Sequence, residues 1–275
     1  MLFWKRTLIC LVIIAVILTI AMPANAAELT ETELQENPYL IEYEGNKFIV
    51  PDLSLNREPE ESAAGYVEKY TEPPQYFQSY YPYTRYGDSN IRKSGCGITC
   101  ISMVLTYLLD KEVTVEELAQ KYSNYKVKGG SSYTLFPDTA EDYGVIIEKQ
   151  VWNWQEAKEA LQNGQVIIAN AHSQSIFTDG GHFIVLSGIT EDEKIVVRDP
   201  NLYNYSIYNY PAREEGYAKG FDEKYLKYDC FPMWIYAPKD IDAIALRVQE
   251  ENYAARQSET LAETEPVLQD NNVIK

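Results

Sequence analysis

The stretch "RKSGCGITCISMVLTYLL", residues 92–109, constrains the fold most, because from Gly97 to Leu109 it is apolar nearly all round. Ile98, Ile101, Met103, Val104, Leu105, Leu108 and Leu109 leave little polar face, and such a helix must be enclosed by other elements. The neighbouring segments show what encloses it. "VTVEELAQKY" reads as an amphipathic helix, with Thr114 as N-cap and Glu117 completing a capping box. In "YTLFPDTAEDYG", Pro137 suits the first helical turn and Gly144 the end; "WNWQEAKEALQNG" closes on a second such glycine, Gly164. The first half therefore reads as mostly helical. Beyond Gly164, "QVIIANAH", "HFIVLSGIT", "KIVVRDP" and "FPMWIYAP" are short runs of Val, Ile and aromatics between turn residues, which read as strands. Helices followed by strands imply an α+β fold, with a central N-terminal helix packed on a mainly antiparallel sheet.

This core is expected over residues 76–239. Ahead of it, Lys5 and Arg6 precede an uncharged run from Thr7 to Met22 and the small-residue site Ala24-Asn25-Ala26. That pattern predicts a signal peptide over residues 1–26, and hence a secreted protein; retained as an anchor, it would leave the protein at the cell surface, and cleaved, it leaves no stable membrane span. Residues 27–75 are rich in Glu, Pro and Ser and read as a poorly packed acidic lead-in, with one hairpin around Glu44-Gly45-Asn46 in "YLIEYEGNKFIVP". Residues 240–275 read as a charged helix giving way to an acidic tail with too little apolar content to order itself.

Charge narrows the partners. The chain carries 41 acidic against 24 basic residues, a net charge of -17 that loss of Lys5 and Arg6 would take to -19. Such a surface repels nucleic acid and anionic lipid. With Cys10 in the signal, Cys96, Cys100 and Cys230 remain, and an odd number predicts at least one free thiol. Cys96 and Cys100, on neighbouring helical turns, are poorly aimed for a mutual bridge, whereas a Cys100 to Cys230 bridge stays open. The CxxxC spacing has no second ligand pair and the chain has two histidines, so neither a metal nor another cofactor is expected.

Cys96 stands between two glycines where a polar loop becomes the apolar helix. A helix N-terminus beside an imidazolium lowers a thiol's pKa, Gly95 and Gly97 keep side chains out of a substrate's way, and a backbone N–H there suits an oxyanion. Cys100 fits a plain buried residue. Of the histidines, His182 follows Gly180-Gly181 and opens a strand in which it shares a face with Ile184 and Leu186. In the next strand Ile195, Val197 and Asp199 share a face, and pairing about "TEDEK" returns Asp199 to the end where His182 begins. Cys96, His182 and Asp199 then form a triad in chain order. Asp199 also suits a cap on the turn before Pro200. His172 reads as a solvated loop histidine that could line the cleft. Tyrosines crowd residues 203–228, seven in all, and "YFQSYYPYTRY" before the cysteine; they suit an aromatic substrate channel or ordinary loop packing.

"SGCGITCISMVLTYL", "LFPDTAEDYGV", "EALQNGQVIIAN", "GGHFIVLSGI" and "VVRDPN", in that order from about Phe77 to Tyr236, resemble papain-like cysteine peptidases of the bacteriocin-processing, double-glycine peptidase type, particularly their secreted stand-alone relatives. The resemblance implies a papain-like fold, with Cys96 as nucleophile, His182 as general base and acid, and Asp199 orienting His182. Ile98 stands where such proteins usually have proline in a "GCGPT" run. The family's oxyanion glutamine lies upstream of the cysteine: Gln78 matches it by aromatic context, and Asn90 is the nearer alternative. The expected activity is hydrolysis of amide bonds in a peptide or protein through a thioester acyl-enzyme, and double-glycine specificity is not carried over. The alternatives are an endopeptidase or amidase acting on cell-wall peptide, and a non-catalytic extracellular binding protein on the same fold.

Overall fold

The computed structural model describes residues 40–50, 55, 57–173, 175–206 and 211–264. The expected signal peptide, the start of the lead-in and residues 265–275 lie outside the described residues. In chain order the elements begin with β1 (Leu40–Tyr43) and β2 (Asn46–Ile49), then the two-residue strands β3 (Arg85–Tyr86) and β4 (Ser89–Asn90). Helices α1 (Ile91–Ser94), α2 (Cys96–Leu109) and α3 (Val115–Lys121) follow, then β5 (Lys126–Val127), β6 (Gly130–Ser131), α4 (Leu135–Tyr143), β7 (Ile147–Val151) and α5 (Trp154–Gln162). The second half contains β8 (Ile167–Ala171), β9 (His182–Ile189), β10 (Ile195–Arg198), α6 (Pro211–Lys219), β11 (Met233–Tyr236) and α7 (Ile241–Thr264).

Five strands form the main sheet in the order β10-β9-β8-β11-β7, every pair antiparallel. Alternation along the strands sends side chains into two cores. Ile168, Phe183, Val185 and Trp234 meet α2, α3 and α4 through Ile98, Ile101, Val104, Leu118 and Phe136. Ile167, Ala169, Ile184, Leu186, Val197 and Met233 meet α5 through Ala157 and Leu161, and also Phe48, Phe177, Tyr205 and Tyr217. Apolar layers on both faces explain why the strands read as near-continuous hydrophobic runs. The α+β expectation holds. From Cys96 to Leu108 every residue of α2 is buried, as its lack of a polar face demands.

Caps follow the sequence in part. Thr114 accepts the Glu117 N–H at 3.2 Å, but the Glu117 carboxylate accepts the Tyr143 hydroxyl rather than turning back to complete a capping box. Pro137 lies in the first turn of α4, and Gly144 ends that helix in the left-handed conformation, φ +67°.

Three features depart from the sequence reading, and one question it left open is answered. The helical first half also holds β7, an edge strand whose Glu148, Lys149 and Gln150 are exposed, so no apolar alternation marks it. The lead-in, though largely exposed among its described residues, is pinned at points: Phe48 is buried, and the fully buried Glu68 carboxylate accepts from Lys239 at 2.7 Å and Arg57 at 2.5 Å. Lys239 also meets Asp110, the left-handed residue ending α2, whose carboxylate accepts the Lys69 and Tyr70 N–H groups and the Tyr66 hydroxyl. Third, α7 continues to Thr264, past the point where sequence composition loses its apolar residues, because Ala, Arg, Gln, Glu and Leu favour the helix without a core. Finally, Cys100 and Cys230 form no bridge; both are free and buried, in opposite cores.

Candidate active site

A short helix, a joint and a long helix place Cys96. The Asn90 side chain caps α1 by accepting the Lys93 N–H at 3.0 Å. α1 ends at Ser94, the Gly95 N–H donates to the Ile91 carbonyl at 2.8 Å, and the Gly95 carbonyl accepts the Thr99 N–H at 2.9 Å. Cys96 is thus the first residue of α2, where unpaired N–H groups and the helix dipole favour negative charge. A side chain on Gly95 would place Cβ 2.6 Å from the Ile91 carbonyl oxygen, and on Gly97 2.9 Å from Ser131 Oγ. The flanking glycines therefore allow close packing of α2 on α1 and β6, a role their sequence context did not announce.

His182 and the backbone N–H groups of Gly97 and Phe183 each act on the Cys96 thiol to favour its charged form. Burial alone would push this thiol up; those donors and the imidazolium charge outweigh it, and the pKa falls below its ordinary value near 9. Cys100 and Cys230 are the contrast, since burial without such donors drives both well up. Tyr86 lies close enough to the thiol to feel its charge, and its hydroxyl donates to Ser131 Oγ at 2.8 Å.

His182 opens β9, opposite Ala171 of β8, with Nε2 2.7 Å from Asp199 Oδ1, which leaves Nδ1 for the thiol. The β9-β10 hairpin pairs Val197 with Leu186 and Arg198 with Val185, so Asp199 follows directly on the paired residues. A bulge between Val196 and Val197 keeps Val197 and Asp199 on the face of Leu186 and His182. Burial opposes charge on the imidazole, but the Asp199 carboxylate overrides it and raises His182 to about 10.

Asp199 is fully buried, which by itself would raise its pKa, yet His182 and a shell of donors hold it below the ordinary carboxylate range. Oδ1 also accepts the Asn201 N–H at 2.7 Å; Oδ2 accepts from Asn204 Nδ2 at 2.7 Å and from the Tyr217 hydroxyl. The turn-capping and histidine-orienting readings of Asp199 thus coexist on one oxygen. The Asp199 N–H donates to the Tyr205 hydroxyl at 3.2 Å, and Gln75 Nε2 donates to its carbonyl at 2.8 Å.

Gln78 is bracketed between these loops. Its N–H donates to the Pro200 carbonyl at 3.0 Å, and its side-chain Nε2 donates to the Arg92 carbonyl at 2.9 Å, four residues before Cys96. One amide hydrogen of Gln78 remains to be shared; Asn90 uses its side-chain oxygen on the helix cap, which fixes the orientation of its amide. Exposed His172, which follows the residue paired with His182, has Nε2 against the Phe231 carbonyl and its N–H on the Asp229 carbonyl. The tyrosines divide: Tyr205 and Tyr217 are buried supports of Asp199, Tyr228 is exposed, and Tyr208 and Tyr210 lie outside the described residues. Tyr217, Asn204, Tyr205 and Gln75 were missed from sequence, because nothing in a tyrosine-rich loop marks which members turn inward.

Cys96 and His182 are each less than a tenth exposed. A thiol of lowered pKa touching a carboxylate-bound imidazole is equipped to attack a carbonyl carbon and to pass a proton to a leaving group. No curated protein and no solved structure gives a significant match to the chain. The model of the Peptidase_C39 like family matches residues 71–231, a span that includes Gln78, Cys96, His182 and Asp199. The α+β architecture accords with the papain-like fold of such peptidases. With more than half its length matched, the chain belongs to the Peptidase_C39 like family.

Proposed function

We propose that the protein is a secreted cysteine peptidase in which Cys96, His182 and Asp199 hydrolyse amide bonds. The observation that carries this reading is the placement of Cys96 at the start of α2 together with His182 bound to the buried Asp199, Nε2 to Oδ1 at 2.7 Å, an imidazole that lowers the Cys96 thiol. The Cys96 sulfur bonds to the substrate carbonyl carbon, and the carbonyl oxygen becomes an anion held by the Gln78 side-chain amide and backbone N–H groups at the helix start. His182 gives its proton to the nitrogen as the C–N bond breaks, leaving a thioester. It then takes a proton from water, whose oxygen bonds to the acyl carbon, and the Cys96 sulfur departs as the acid is released. Secretion is supported by the basic, apolar and small-residue succession of residues 1–26. The family membership supports peptidase chemistry, and the acidic chain favours neutral or basic peptides.

The test is incubation under reducing conditions with a diverse peptide library and with purified cell-wall fragments, beside Cys96→Ala. Cleavage of library peptides that vanishes in the variant is expected. Cleavage confined to cell-wall fragments would redirect the reading to cell-wall peptide, and no turnover of either would favour a binding protein.

A further inference from the structure

We propose that Tyr43 and Glu44, at the tip of the β1-β2 hairpin, are positioning residues for Gln78, so that this hairpin completes the oxyanion side of the site. The inference rests on the reading of Gln78 as oxyanion donor. Gln78 holds its own side chain weakly: Nε2 donates to the Arg92 carbonyl, but Oε1 is buried with no partner. Its aim therefore depends on what fixes Arg92 on one side and Ser79 on the other.

The hairpin grips both. The Tyr43 hydroxyl donates to the Ser79 carbonyl at 2.6 Å, and its ring lies 5.2 Å from that of Tyr80. Both carboxylate oxygens of Glu44 accept from Arg92, Nη1 and Nη2 each at 2.6 Å, a paired geometry that fixes orientation as well as distance. The Tyr203 hydroxyl also donates to Glu44, at 3.1 Å. Burial of Phe48 and its pairing with Ser206 anchor the hairpin's second strand.

The turn itself points to a task for Glu44. Glu44 and Gly45 have φ of +50° and +74°, the pattern of a tight two-residue hairpin turn whose first position favours Asn, Asp or Gly. Glutamate there is strained, and its carboxylate is the group that meets Arg92. The hairpin precedes the residues 71–231 that match the family.

Two reagents separate the oxyanion from the thiolate. Iodoacetamide is attacked by the Cys96 sulfur with loss of iodide and forms no oxyanion. An acetyl-dipeptide aldehyde forms a carbon–sulfur bond and leaves its oxygen needing a donor. In the full chain, Glu44→Gln and Tyr43→Phe are expected to alkylate within about twofold of the unsubstituted rate, yet to hold aldehydes about tenfold more weakly, as protection against alkylation reports. On a Gln78→Ala background neither substitution should weaken the aldehyde further. Unchanged aldehyde affinity, or the same loss with and without Gln78, overturns the inference alone. Failure of a panel of such aldehydes to protect the unsubstituted protein overturns the active-site reading and this inference with it.

Discussion

At Cys96, opposed influences act on one proton, and removing either side predicts the sign of the change. Burial raises the thiol, while His182 and two backbone N–H groups lower it below 9. The rate of Cys96 alkylation by iodoacetamide should therefore rise with pH through a midpoint below 9, ahead of an ordinary thiol. In His182→Ala burial prevails and the midpoint moves above 9. Asp199→Asn moves it the same way, because a buried imidazole without its carboxylate gives up its proton. Each unit of that movement slows alkylation near neutral pH about tenfold, and a profile left in place by both substitutions would contradict the coupling. These three residues were legible because their types are scarce: among two histidines and four cysteines, strand alternation and helix onset leave few choices. The supports of Asp199 were not. Tyr217 is one of 23 tyrosines, and its contact with Asp199 spans 18 residues across a loop with no periodicity to read.

Among the elements, the junction of α1, α2 and β6 is closely packed, and its glycines are unequal. A Cβ on Gly95 meets backbone, Ile91 Cα at 2.7 Å and the carbonyl oxygen closer still, so the helices must separate. On Gly97 it meets Ser131 side-chain atoms and, at 3.3 Å, the Phe183 ring, which can give a little. Gly181, beside His182, has nothing within 4 Å of such an atom. Thermal melts should rank Gly95→Ala as the most damaging, Gly97→Ala next at about 1–3 kcal/mol, and Gly181→Ala within about 0.5 kcal/mol of the parent. A large loss at Gly181 would refute the packing account. The GCG motif marked the start of α2, and the structure adds a packing role for its glycines. β7 was hidden for a related cause: an edge strand needs only its inward residues apolar, and three exposed polar residues in five erase the pattern.

Across the whole molecule, Lys239 joins three separated segments by ion pairs to Glu68 and Asp110, with all three side chains almost wholly buried. Lys239→Met should cost about 3–5 kcal/mol in urea unfolding, since it leaves two buried carboxylates short of a partner. A loss below about 1 kcal/mol would mean water reaches the cluster. Nothing local announces such a pairing, whose members are 129 and 171 residues apart, and so the lead-in reads as loose when it is bolted down. The order of the sheet has a further consequence, for the timing of assembly. β11, the last strand along the chain, lies between β8 and β7, so β7 has no strand beside it until Met233–Tyr236 arrive. Synthesis runs from the N-terminus, and a nascent chain holding Cys96, His182 and Asp199 still lacks the inner strand that joins the two parts of its sheet. Closure of the fold, and with it a rigid site, awaits the synthesis of Met233–Tyr236.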